Sequence, residues 1–126
     1  ISDLKNIFND GFWRKHQNKF FARIFQAIRI EVNDEINSLK ELLTQSLELL
    51  NPSGRLVIIS YHSTEDKVVK SFMKFGNFLN RQDKDFFGNQ YNPFKLITKK
   101  PTTPTITEIK SNNKSRSAKL RICEKL

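Results

Sequence analysis

What this chain lacks narrows its chemistry before anything it contains. A single cysteine, Cys123, excludes an internal disulfide and any cysteine-based zinc site. Two histidines, His16 and His62, leave little from which to build a metal centre. The longest apolar runs, such as Leu56-Val57-Ile58-Ile59, fall far short of the roughly 20 residues that a membrane span requires. The four glycines, Gly11, Gly54, Gly76 and Gly88, stand isolated. There is no G-x-G and no G-x-x-x-x-G-K, which argues against a self-contained dinucleotide, ATP or methyl-donor site. Neither G-x-S-x-G nor H-E-x-x-H occurs. No secretory leader is visible, and the expected compartment is the cytoplasm.

What is present reads as part of a folded domain. Eleven Phe, one Trp and two Tyr in 126 residues are too many aromatics for a disordered chain. The net charge of +9 is unevenly spread. Residues 1–31 carry six Lys/Arg against three Asp/Glu, residues 32–94 seven against eight, and residues 95–126 nine against two. Such asymmetry favours a polyanionic partner, nucleic acid or an anionic surface, over an indifferent one. A merely solvated basic face is the alternative.

Ser2 to Phe8 reads as a short capped helix with Gly11 beyond its end. The strongest helical periodicity runs from Phe20 to Leu50. Its apolar positions include Phe21, Ile28, Val32, Ile36, Leu39, Leu43, Leu47 and Leu50, as one helix or two joined near Asn33-Asp34. Asn51-Pro52-Ser53-Gly54 is a turn. Arg55–Ser60 is a short β-branched run, apolar on both faces, as in a parallel strand covered on both sides. Ser63 followed by Asp66 has the spacing of a capping box and opens a helix that Gly76 closes. Residues 77–93 look irregular, 94–98 extended, and Thr105–Lys110 a helical turn. Residues 117–124 alternate, with Ala118, Leu120 and Ile122 on one face and Lys119, Arg121 and Cys123 on the other, as a final strand. Helix, turn, buried strand, polar loop, helix is the unit of an α/β domain. Three strands and two or three helices do not complete such a domain. The expectation is that this is the C-terminal part of a larger one, or that a homo-oligomer hides the missing side. A first residue other than Met points to the former.

Candidate site residues follow from position. Ser60 and His62 sit between a strand's carboxyl end and a helix start, the edge where open α/β sheets bind ligands. They are candidate catalytic residues in a supporting role, with Ser63 at the helix N-terminus as a possible phosphate contact. A purely structural cap is the alternative for Ser63. Arg116, Ser117, Lys119 and Arg121 form a basic, hydroxyl-bearing patch suited to phosphates, or else a solvated strand edge. Arg29 and Asn33 lie on the long helix. Trp13 with the basic residues around it could stack a base, though local packing is the simpler role. Cys123 reads as a small packing residue.

Three stretches together then become recognisable. FQAIRIEVNDE (25–35), GRL…ISYHSTED (54–66) and SRSAKLR (115–121) resemble, in order, the FQALRIEVNDEL, GGRL…ISFHSLEDR and RSRSAKLR segments of the MraW-type 16S rRNA cytosine-N4 methyltransferases. Ser53 stands where that family has the first glycine of a GG turn, Tyr61 replaces Phe and Thr64 replaces Leu. The resemblance implies a Rossmann-like class I methyltransferase sheet preceded by an inserted helical domain. Residues 1–35 would end the insertion, and residues 36–126 would form the C-terminal part of the methyltransferase domain. It implies S-adenosylmethionine as methyl donor and 16S rRNA or the small ribosomal subunit as partner, with no membrane. The family's methyl-donor loop lies upstream of these motifs, so no cofactor-binding residue is expected here, and the isolated chain is expected to be inactive. Arg29, Asn33, Ser63, Arg116, Ser117, Lys119 and Arg121 become candidate rRNA contacts. A non-enzymatic rRNA-binding module is the competing expectation.

Overall fold

The computed structural model describes residues 17–82, 86–87 and 91–126. The short helix expected at Ser2–Phe8 and the Trp13 cluster lie outside the described residues. The chain divides into two units, the second being Ile36–Leu126. In the first, helix α1 spans Gln17–Val32. Phe21 is buried, with the rings of Phe20 and Phe25 at 5.8 and 6.4 Å. The helix ends where Asp34 enters the left-handed region at φ 50°, which breaks the apolar periodicity into two helices.

Helix α2 spans Glu35–Leu49. The turn after it is tight: Ser53 adopts φ 66°, and a Cβ on Gly54 would lie 2.8 Å from the Asn51 carbonyl oxygen. Strand β1 (Arg55–Ser60) follows, then helix α3 (Ser63–Phe75), which Gly76 terminates at φ 71°. Strand β2 is Phe94–Leu96, helix α4 is Ile106–Ser111 with Thr105 as its cap, and a 3-10 turn covers Asn113–Ser117. Strand β3 is Lys119–Lys125.

The sheet order is β1-β3-β2, with β3 antiparallel to both neighbours. β1 and β2 therefore run parallel to each other. The register pairs Leu56 with Cys123, Ile58 with Arg121 and Ser60 with Lys119. These residues face the helices, where Leu43, Val69, Phe72, Met73, Phe94 and Cys123 form the core. Lys125 Nζ donates to the carbonyls of Leu47 and Leu50, 2.7 Å each, and so neutralises the C-terminal end of α2.

The expectation for β1 changes. Its described partner, β3, is antiparallel to it, and among the described residues it is covered on one face, with Val57 and Ile59 53% and 56% exposed. Its β-branched run is apolar on both faces, yet helices α2 and α3 pack on one. In β3 the face turned inward is the one that carries Lys119, Arg121 and Cys123, while Leu120 and Ile122 face away. The charges are tolerated inside because a carboxylate meets them, as described next. No helix among the described residues is long and apolar enough to cross a membrane.

Candidate functional site

The carboxyl end of β1 delivers Ser60 to the interior, 3% exposed. Tyr61 turns outward, and His62 is the N-cap of α3 in extended conformation (φ −131°, ψ 160°). Ser63, expected as the cap, is instead the exposed first residue of the helix. The acid that reaches back is Glu65 rather than Asp66. One Glu65 oxygen accepts from the backbone N–H of Tyr61 (3.0 Å) and of His62 (3.4 Å), and the other lies 3.3 Å from His62 Nε2. A single carboxylate thus fixes the turn and the imidazole together.

Shifting the cap by one residue frees Asp66 for the inside. Arg121 Nε donates to Asp66 Oδ1 at 2.7 Å, and Arg121 Nη2 to Oδ2 at 3.2 Å. Lys119 Nζ donates to the same Oδ2 at 3.2 Å. Burial pushes the Asp66 carboxyl upward, but the hydrogen bonds and charges of Arg121 and Lys119 outweigh it. The group is held below its ordinary value. Because Lys119 pairs with Ser60 across the sheet, this ion cluster lies beside the strand end that carries Ser60 and His62. Burial alone pushes the Cys123 thiol up to about 12, which makes it a packing group rather than a nucleophile.

The 3-10 turn leads into this cluster. Asn112 caps it by accepting from Lys114 N, and Ser115 is buried with its hydroxyl donating to the Asn112 carbonyl. Arg116 and Ser117 are exposed on the same turn. Register and ion pairing thus join two motifs about 60 residues apart, through Ser60, His62, Asp66, Lys119 and Arg121. Arg121 itself is only 8% exposed and committed to Asp66. Arg29 and Asn33 belong to the first unit, where both reach Glu35, at 2.8 and 3.3 Å.

Sequence reasoning missed the role of Asp66, reading it as part of a cap. Its only trace in the sequence is the pair of cations, Lys119 and Arg121, that share a face of the final strand with Cys123. Chemically, the assembly is a rigid corner. An imidazole and a hydroxyl stand at a sheet's carboxyl edge, braced by a buried ion pair and bordered by the exposed Ser63.

A family model described as the MraW methylase family matches residues 2–126. The ribosomal RNA small subunit methyltransferase H of Parabacteroides distasonis is 49% identical over 126 residues, covering all of this chain and 41% of the relative. That of Amoebophilus asiaticus is 59% identical over 107 residues, 85% of this chain and 34% of the relative. That of Flavobacterium johnsoniae is 52% identical over 124 residues, 98% and 41% respectively. The chain therefore spans about two fifths of the length of these curated relatives.

Proposed function

Because the chain belongs to the MraW methylase family, we propose that it is the C-terminal portion of an S-adenosylmethionine-dependent methyltransferase acting on a cytosine N4 of 16S rRNA. Residues 1–35 then close an inserted helical domain, and residues 36–126 supply the last strands and helices of a Rossmann-like sheet. The relatives' names favour small-subunit ribosomal RNA as partner, and the cytoplasm is the expected location on this reading. Two structural features support the reading. β1 and β2 run parallel and are connected through α3, the βαβ connection of doubly wound sheets. The uncovered side with Val57 and Ile59 is the side a further layer of such a fold would bury.

The observation that carries the proposal is the braced corner at the end of β1, built from the ISYH and SRSAKLR motifs together. The methyl donor supplies an electrophilic methyl on a sulfonium cation. The described residues do not fit it: a groove of about 610 Å³ beside α3 is lined by Lys40, Lys67 and Lys70 without a carboxylate. No residue of this chain is assigned to the donor, and the chain alone is inactive on this reading.

What this chain contributes is placement. Transfer to an exocyclic amine needs its lone pair aligned with the methyl group, and positioning supplies most of that acceleration. His62, its imidazole held by Glu65, is the supporting residue that orients the amino group, and Ser60, buried at the end of β1, underpins it from inside rather than touching the substrate. The exposed Arg29, Asn33, Ser63, Arg116 and Ser117 hold rRNA phosphates, joined by the half-buried Lys119. Arg121 acts from within, by fixing Asp66 beneath the corner. Replacing His62 by Ala in the full-length enzyme is expected to slow single-turnover methylation of small-subunit rRNA about tenfold or more, roughly 1.4 kcal/mol of transition-state stabilisation. An unchanged rate would remove His62 from the mechanism.

A further inference from the structure

We propose that the exposed side of α3, with the groove it forms against α2, is a track for the phosphate backbone of RNA, separate from the corner at the end of β1. The proposal rests on the functional reading above only in that rRNA supplies the polyanion. Lys67, Lys70 and Lys74 recur three and four residues apart on α3, and all three are exposed. They form a stripe about 10 Å long at the helical rise. The opposite side of the same helix carries the buried Asp66, Val69, Phe72 and Met73. On one flank of the stripe lies the groove of about 610 Å³, where α2 adds Lys40. On the other flank a small cleft of about 30 Å³ is lined by Lys70, Lys74 and Lys99.

Neither lining contains a carboxylate among the described residues, and none of these five lysines is ion-paired to a described carboxylate. Counted along the chain this region is almost neutral, with seven basic residues against eight acidic ones over 32–94. Folding separates the signs. Asp66 turns inward to Arg121 and Glu65 is spent on the cap, so the outer surface of α3 is left with one sign only.

The chemistry favours backbone over base. Phe78 in the groove is already stacked on Phe72 at 5.1 Å and has Lys40 Nζ 5.9 Å from its ring centroid, so its ring is not presented to a base. Ammonium groups are point charges that follow a phosphate row without reading sequence.

The test uses the full-length protein with a triple substitution, K67Q/K70Q/K74Q, and a fluorescein-labelled oligouridine whose anisotropy is followed through a salt series. Three lost contacts should make the slope of log K against log salt shallower by about two, at roughly 0.7 per contact for single strands. The K67R/K70R/K74R protein should retain the parent slope. An unchanged slope overturns the track. So does an equal loss in K95Q/K100Q/K110Q, which would make the effect one of bulk charge. A loss confined to binding of phosphatidylserine vesicles would assign the stripe to membranes and equally overturn it. The same preparations are assayed for methylation of small-subunit rRNA. Methylation by the parent protein with no change of slope in the triple variant overturns the track alone. The expected slope change without methylation overturns the functional reading and leaves the track standing.

Discussion

Replacing Asp66 by Asn removes one buried charge while keeping the shape of the side chain. The carboxylate receives three hydrogen bonds, two from Arg121 and one from Lys119. Asp66 and Arg121 are 7% and 8% exposed, so water screens the pair little. Asn keeps one acceptor, but turns a donor toward the two cations that shared the other oxygen. Removing one partner of a buried pair costs about 3–5 kcal/mol, because the other charge is stranded. The retained acceptor places this variant near the lower end, about 3 kcal/mol. With an m-value of about 2 kcal/mol/M for a small protein, the urea midpoint should fall by about 1.5 M at neutral pH. The pH dependence gives the reasoning a second handle. The folded carboxyl titrates below its ordinary value of 3.8, so the folded state binds fewer protons there than the unfolded one. The contribution of Asp66 is fully present above that value and is lost as pH falls through the folded pKa. Parent and variant should therefore converge in acid. A loss below about 1 kcal/mol at neutral pH, or a gap that stays constant through the acid series, would refute the assignment of Asp66 as the brace.

Ser53→Gly should stabilise the protein by about 0.5–1 kcal/mol, since a non-glycine residue at positive φ is strained while glycine loses more entropy on folding. Thermal unfolding reads this as a Tm increase of a few degrees, and no increase would mean the turn relaxes without cost. Cys123 should resist iodoacetamide in the folded protein near pH 8, being fully buried with its thiol pushed up to about 12, and react fully in urea. Rapid labelling of the native protein would show that β3 opens readily.

Local signals in the sequence carried most of the element order. The 51–54 turn, the β-branched 55–60 run, the Gly76 stop and the alternation of 118–123 each reflect neighbouring residues, and each appears in the structure. The family's GG turn also gains a physical meaning, because Ser53 occupies a left-handed conformation where the family places glycine. What could not be read depends on distance in the chain. Alternation split β3 into an apolar face and a charged face but could not say which one is inside. That choice depends on Asp66, more than 50 residues earlier. The same carboxylate explains the misplaced cap: His62, Ser63, Glu65 and Asp66 offer two overlapping boxes, and only the partner across the sheet selects between them. The candidate site was legible as a location, at the end of β1, and illegible as a mechanism of support.

The position of β3 has a consequence for how the sheet comes into being. Of the three described strands the middle one comes last in sequence, and Arg55 meets Glu124 across a separation of 69 residues. During synthesis β1, α3 and β2 all emerge before β3, and until then the edges of β1 and β2 that β3 occupies stay unpaired by it. Closing so long a loop is slow, and strand edges waiting for a distant partner invite pairing with other chains. A nascent chain halted before Lys119 would leave β1 and β2 without the strand that joins them. The arrival of β3 is therefore the event that ties the two strands together and closes those edges.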